Sequence, residues 1–474
     1  MIKRISLVFG GFWVMSNLGT DDNPLLVAIV GSGPSGFYAA EALIKSDIEV
    51  NVDIIERLPS PYGLVRSGVA PDHPKLKTTI NLYKKIAVDP HFNLIANVTV
   101  GEDISIEELC ETHHAIILTY GAETDRKLGV PGEDLKGSYT ATEFVGWYNG
   151  HPDYRELEFD LSQDIAVIIG QGNVAADVSR ILSKTVDELK NTDIAQHALD
   201  VLAESKLKEI HIIGRRGPAQ AKFTPKELRE FGELSDCNPI ILEEDLVLND
   251  ESKKELEEKS NVTHKKVYDL FSEFSKRKID SNKSKKCFFR FLMGPKGIIG
   301  DAKIEKLVLE KNELSGEPFK QSAKGTNETI EINTSILFRS IGYHGIAMPG
   351  VPFHENWGTI PNKKGRVTEN DGAVVNQLYT AGWIKRGPSG IIGTNRACSS
   401  ETIQCLLSDL EKLNTGTKKY GASEIYSKLD NKNIRHVNFD EWSQIDTKEI
   451  EIGEPKGKPR EKYTYIEEML SVIK

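Results

Sequence analysis

Gly31, Gly33 and Gly36 stand in a G-x-G-x-x-G spacing directly after the apolar run LLVAIV, and Glu56 ends the next apolar run, VNVDIIE, about twenty residues beyond. In this pattern glycines permit a tight turn and a close backbone approach. The helix that follows presents free N–H groups and a positive dipole end to a pyrophosphate, and the acid can accept ribose hydroxyls. Strand, turn, helix, strand and acid occur together, which a glycine turn without a ligand does not require.

A second set follows a second apolar run, IAVIIG. It reads Gly170, Gln171, Gly172, Asn173, Val174, Ala175, a G-x-G-x-x-A variant in which alanine takes the third glycine's place. Its next apolar run, EIHIIG, ends in Arg215 and Arg216 instead of an acid. A carboxylate there would repel a 2'-phosphate, whereas guanidinium groups grip phosphate through paired N–H donors, so NADPH is expected over NADH. An exposed arginine pair at a strand end is the plainer alternative. One acid-type and one arginine-type unit imply a flavin nucleotide in the first and a nicotinamide nucleotide in the second, with hydride transfer between them.

These motifs need two β-α-β units to hold them. The first runs from Leu25 through a small-residue helix beginning near Ser35; the second starts at Ile165. Between them lie a turn-rich stretch from Leu58 to Pro74, the short strand AIILTY ending before Gly121, and a linker at 122–137. Residues 250–286 are rich in lysine and glutamate with helical apolar spacing (Val267, Leu270, Phe271, Phe274), which is expected to be a solvated surface helix. The strands ILFRSIGY and LYTAGW come later, and the tail from Asp430 reads as polar and turn-rich.

With 474 residues, 39% hydrophobic and 27% charged, the chain can build two or more cores, and a net charge of −10 argues against a generally basic nucleic-acid binder. The five cysteines (Cys110, Cys237, Cys287, Cys398, Cys405) form no C-x-x-C pair and no cluster-binding spacing. They imply small buried thiols in a reducing compartment and an iron-sulfur centre, if one is used, on another protein. No metal site is expected. Near the start, Lys3 and Arg4 precede an apolar run from Ile5 to Met15. That run is too short for a membrane span and lacks an A-x-A site; it reads either as a signal-like segment or as an extension ahead of a start at Met15.

Three further places could carry chemistry. In GWIKRGPSGIIGTN, Gly390 and Gly393 lead into the alcohol-rich run ACSSET, a second possible anion-facing helix start, and Trp383 could pack on a planar cofactor or simply in a core. His73, in APDHP, reads unaided as a solvated turn histidine. Glu227, in FTPKELRE, reads as an acid favoured at a helix start.

The blocks GSGPSGFYAAEAL, GLVRSGVAPDHPKLK, HHAIILTYGAETDRKL, FVGWYNG, VIIGQGNVAADVSRIL, IIGRRGPAQAKFTPKELRE, SIGYHG and GWIKRGPSGII resemble, in order, those of the adrenodoxin reductase family, including bacterial ferredoxin-NADP reductases of that type. The likeness extends from Pro24 to the KPREK near the end. It implies FAD contacts at Ser35, Glu56, Leu64, Val100, Trp383 and Gly390, Ile391 and Ile392. It implies NADP contacts at Gln171, Gly172, Asn173, Val174, Arg215, Arg216, Glu227 and Gly390, and places His73 and Glu227 near the reacting rings. The polar, cysteine-bearing stretch after Ile392 departs from the animal enzymes.

The fold implied is α/β with two Rossmann-like dinucleotide-binding domains in a glutathione reductase-like flavoprotein arrangement. Residues 1–23 would be an N-terminal extension, 24–121 and 338–474 a discontinuous FAD-binding domain, and 122–337 an inserted NADP-binding domain. The expected activity is hydride transfer from NADPH to FAD, then two single-electron transfers to an iron-sulfur carrier. The alternatives are an NADPH oxidoreductase acting on a quinone, a dye or oxygen, and a redox-inert binding protein of the same fold, which would have degraded nucleotide motifs. The expected partner is an acidic [2Fe-2S] ferredoxin or adrenodoxin-like protein. Since the chain is itself net negative, docking needs a local basic face, sought at Lys222, Lys226 and Arg229. The expected compartment is the bacterial cytoplasm, with the mitochondrial matrix as the alternative.

Overall fold

The computed structural model describes residues 18–473; the apolar run from Ile5 to Met15 lies outside them. The run LLVAIV becomes the strand Leu25–Val30, buried along almost its whole length, as expected of a parallel strand covered on both faces. It sits inside a seven-stranded sheet. Val50–Glu56 and Phe92–Ala96 lie on one side of it, and Ala115–Leu118 and Val374–Thr380 on the other, all parallel. The short strands Arg366–Thr368 and Asn362–Lys363 close that edge in antiparallel pairing.

The second unit forms a six-stranded parallel sheet in the order Ser138–Thr140, Ile336–Arg339, Ile165–Ile169, Glu209–Ile213, Lys285–Arg290, Cys237–Ile240. Strand Ile336–Arg339 pairs with Ile165–Ile169 and so carries this sheet past the boundary read at residue 338. The two connections between the sheets run side by side, Thr124–Asp125 antiparallel to Tyr343–His344. A three-stranded antiparallel sheet, Met293–Ile299, Lys306–Ser315 and Ser322–Asn333, is added to the second unit.

Three expectations from sequence change. The 250–286 stretch is not a solvated helix: Val267, Phe271 and Phe274 of the helix Val262–Ser275 are buried in the second unit's core beside Phe223, Phe231 and Phe289, and Lys285 and Lys286 begin a central strand. The charged residues cover the outer side of the helix, and the apolar stripe read from its spacing is the face that enters the core. The linker at 122–137 is ordered by Glu133, whose carboxylate accepts from the backbone N–H of Leu128 at 2.5 Å and of Gly129 at 2.8 Å. The tail is a packed element: the helix Phe439–Gly453 buries Trp442 and Ile445 in the first unit's core.

Candidate active site

The helix after the first glycine turn is Pro34–Ile44, with Pro34 at its first position and no side-chain cap at Gly33, so its leading N–H groups stay available. Gly31 takes φ +101°, and a Cβ on Gly36 would come within 2.1 Å of the Gly31 carbonyl oxygen. That contact is the local reason for the third glycine. The second turn leads into the helix Asn173–Ser183, where Ala175 is fully buried.

The two units share one cavity of about 980 Å³. From the first unit Gly31, Gly33, Ser35, Glu56, Leu64 and Val100 line it. Trp383, Gly390, Ile391 and Ile392 close it from the later segment, and His73, Asn173, Val174 and Glu227 line it where the units meet. Gly36, Gln171, Gly172, Arg215 and Arg216 are not in its wall. Gln171 is turned inward, its side-chain amide donating to the Arg290 carbonyl at 3.1 Å. Arg215 is exposed and Arg216 half-buried at the end of Glu209–Ile213.

Glu56 is more committed than its sequence position suggests. Oε2 accepts from the Ser32 N–H at 2.9 Å and the Ser32 hydroxyl at 2.6 Å, while Oε1 accepts from the Leu58 N–H at 3.1 Å. A carboxylate has about four acceptor positions, so accepting both ribose hydroxyls requires Ser32 Oγ to release one. Trp383 is half-buried and packs at 5.3 Å on Tyr343, and its indole N–H is buried without a partner.

His73 is buried, contrary to the solvated turn that APDHP suggests. Its Nε2 lies 2.7 Å from Glu230 Oε2 and 3.6 Å from Glu227 Oε2, and its Nδ1 lies 3.9 Å from Asp177. Beneath it Arg180, fully buried, donates through Nε and Nη2 to Asp72 at 2.5 and 3.0 Å, through Nη2 to Asp177 at 2.6 Å and through Nη1 to Glu227 at 3.2 Å. Sequence reasoning missed Asp72, Asp177, Arg180 and Glu230. The one available signal was Asp177 and Arg180 at i, i+3 on the helix of the second turn.

Environment divides these acids. Burial raises Glu227 and Asp177 above the ordinary carboxyl range, with the charge of Asp177 adding for Glu227 and that of Asp72 for Asp177, and Arg180 only partly offsetting. Burial also opposes ionisation of Asp72 and Glu230, but Arg180 outweighs it for Asp72, and the bond to His73 together with Arg180 outweighs it for Glu230, so both are lowered. Burial and Arg180 disfavour the His73 imidazolium, yet the Glu230 bond with the fields of Asp72 and Glu227 wins, and its pKa is raised. Acids pushed apart in this way beside a protonated histidine form a site that can hold and move a proton. His73, Asp177 and Glu227 also bring three ligand-type atoms within 4.8 Å. The Arg180 guanidinium supplies a cation to both of those carboxylates.

The NADPH:adrenodoxin oxidoreductase of Arabidopsis thaliana is 42% identical over 465 residues, covering 94% of this chain and 95% of the relative. The chain belongs to the adrenodoxin reductase family. NADPH-ferredoxin reductase FprA of Mycobacterium tuberculosis is 41% identical, with 95% and 99% of the two chains covered. The solved structure of that FprA in complex with NADPH superposes with a TM-score of 0.89 at 40% identity over 95% of this chain and 99% of that one. Residues 29–96 match the NAD(P)-binding Rossmann-like domain, the segment carrying the first glycine turn and Glu56.

Proposed function

We propose that this member of the adrenodoxin reductase family is an FAD-dependent reductase that takes hydride from NADPH and passes electrons singly to a ferredoxin- or adrenodoxin-type carrier. The observation that carries the reading is the single cavity walled by the first glycine turn on one side and by Asn173, Val174, Glu227 and His73 on the other. Two nucleotides bound to these units would meet there.

The residues fit a flavin nucleotide. Gly33 has nothing within 4 Å of where a Cβ would stand, leaving backbone exposed to the cavity, and the Trp383 indole N–H lacks a protein partner. Gly31, Gly33, Ser35, Glu56, Leu64, Val100, Trp383 and Gly390 to Ile392 would hold FAD. Gln171 to Val174, Arg215, Arg216 and Gly390 would hold NADPH, with Glu227 at the junction. When bound, FAD accepts a hydride and can release electrons one at a time. His73 holds a proton against Glu230, while Asp72 and Arg180 fix the depth of both. Glu227, whose carboxyl burial pushes above its usual range, would sit at the nicotinamide end as a hydrogen-bonding partner.

The docking face for an acidic [2Fe-2S] carrier would be the helix Pro225–Phe231, where Lys226, exposed at the rim of the cavity, and Arg229 lie one turn apart while Glu227 is buried and Glu230 bonds His73. Lys222, grouped with them on sequence, is exposed elsewhere, beside the second glycine turn. Among the described residues no helix is long and apolar enough to cross a membrane. The five thiols are unpaired, as suits a reducing compartment; the bacterial cytoplasm is preferred to the mitochondrial matrix.

Anaerobic NADPH titration of the purified holoprotein, followed by addition of candidate ferredoxins, tests the reading. Flavin bleaching by NADPH and rapid reoxidation by ferredoxin are expected. Bleaching followed by reoxidation only with quinone, dye or oxygen would assign the protein to those acceptors instead.

A further inference from the structure

Between Arg215 and Lys222 the chain leaves the strand Glu209–Ile213, makes the short 3-10 turn Pro218–Gln220, and returns to the second glycine turn. There the Lys222 N–H donates to the Gln171 carbonyl at 2.8 Å, and Lys222 pairs in parallel with Gly172. Two residues on, the Thr224 N–H donates to Asn173 Oδ1 at 2.9 Å. The loop therefore starts at the arginine pair and ends against the nucleotide turn.

Its backbone is held along its length. The Arg215 carbonyl accepts from Asn312 Nδ2 at 2.9 Å and the Arg216 carbonyl from the Leu292 N–H at 3.0 Å, both from the added antiparallel sheet and its entry. In the middle, Gln220 is buried and donates to Ser252 Oγ at 3.0 Å and Glu255 Oε2 at 2.8 Å. A rigid loop fixes where its side chains emerge.

Three of those side chains are cationic. Arg215 and Lys222 are exposed and Arg216 is half-buried, and among the described residues none of the three is in an ion pair. The half-buried His264, on the helix Val262–Ser275, lies in the field of both Arg216 and Lys222, which oppose its protonation, and of Glu255, which favours it. The two ends of the loop thus bear on one place. The charge of Arg215 opposes that of Arg216, which Glu255 favours from one side only, and an anion seated among the loop's cations would ease their repulsion. Lys226, by contrast, lines the central cavity, and Lys222 does not.

We propose that Lys222 is a third cationic contact for the 2'-phosphate of NADPH, acting with Arg215 and Arg216, and so sets nucleotide specificity and has no part in carrier docking. The inference rests on reading the second unit as the NADPH site. Arginine's planar fork suits paired contacts, and the compact ammonium of Lys222 adds a point charge from the opposite side.

Calorimetric titration of the holoprotein with 2',5'-ADP and with 5'-AMP, which lacks only the 2'-phosphate, tests both layers. Lys222→Ala is expected to weaken 2',5'-ADP about tenfold and to leave 5'-AMP unchanged; Lys222→Arg should recover most of the loss. Equal weakening of both probes would overturn the 2'-phosphate assignment, placing Lys222 at the other phosphates or in a structural role. A wild type that prefers 2',5'-ADP with a Lys222→Ala variant that binds it equally well would overturn this inference and leave the NADPH reading standing. A wild type with no preference would sink the NADPH reading itself, and this inference with it.

Discussion

His73 Nε2 lies 2.7 Å from Glu230 Oε2, and Arg180 Nη1 approaches the same oxygen at 3.5 Å. The histidine's pKa is raised and the acid's lowered, so the pH window in which the pair is an imidazolium and a carboxylate is widened at both ends. Its stabilisation is complete below the ordinary histidine value of about 6.5 and is lost as pH rises through the raised value. The carboxylate's share is held above the ordinary glutamate value and lost as pH falls through the lowered one.

Glu230→Gln removes the charge and keeps the shape. The His73 midpoint, followed by NMR of its ring proton, should fall, and the alkaline limb of NADPH-driven flavin reduction should move to lower pH with it. An unchanged midpoint would show that Asp72 and Glu227 suffice to hold the proton.

Arg180 bonds Asp72, Asp177 and Glu227 at once, and its side chain is wholly buried. Arg180→Met leaves Asp72, Asp177, Glu227 and Glu230 with only Lys184 and His73 as cations among the described residues. Breaking such a set from one side costs about 3–5 kcal/mol, so urea denaturation should show a loss of that order. Its midpoint should recover partly at low pH, where the orphaned acids take up protons. A loss below ~1 kcal/mol would be the value for a surface pair and would contradict the burial argument.

Glu56→Ala should release flavin and loosen the turn as well, because the Ser32 N–H and hydroxyl lose their acceptor. Leaving a buried donor unmade costs about 1–3 kcal/mol. Substoichiometric FAD on purification and a lower Tm for the apoprotein are expected together; normal FAD content would remove Glu56 from the ribose site.

Lys462 Nζ is buried at 3.1 Å from Asp193 Oδ2, which Lys77 already contacts at 2.7 Å. Burial lowers the Lys462 pKa to about 7, the neighbouring cations Lys77 and Arg66 push the same way, and Asp193 only partly offsets them. Unfolded lysine titrates near 10.4, so between those values the unfolded chain binds the extra proton and folding stability rises with pH, by at most ~1.4 kcal/mol per pH unit for this group. Urea unfolding at pH 7, 8 and 9 should show a smaller rise in Lys462→Met than in wild type. Equal rises would mean that Lys462 stays charged throughout.

Lys226→Glu with Arg229→Glu should slow ferredoxin reduction strongly and flatten its salt dependence, since steering charges act on association rate and are screened over ~8–10 Å. Stopped-flow traces of the carrier half-reaction across ionic strengths measure this. Equal salt sensitivity in wild type and variant would move the docking face elsewhere.

Much of this protein was determined by its sequence alone. Gly31 and Gly36 declare themselves because a tight turn and a close helix approach are local demands on residue type. The buried parallel strands are equally plain, since nothing but continuous apolar residues can be covered on both faces. The tertiary structure alone decided which charges are buried and what they meet. Asp72 and Arg180 are 108 positions apart, as are no two residues of one motif, and nothing in APDHP marks its histidine as buried against Glu230. The lysine-rich helix Val262–Ser275 and the tail helix carrying Trp442 were misread for the same cause. Composition averages over a helix, whereas packing uses one face of it, and the field at a titratable group is the sum over neighbours that only the folded chain brings together.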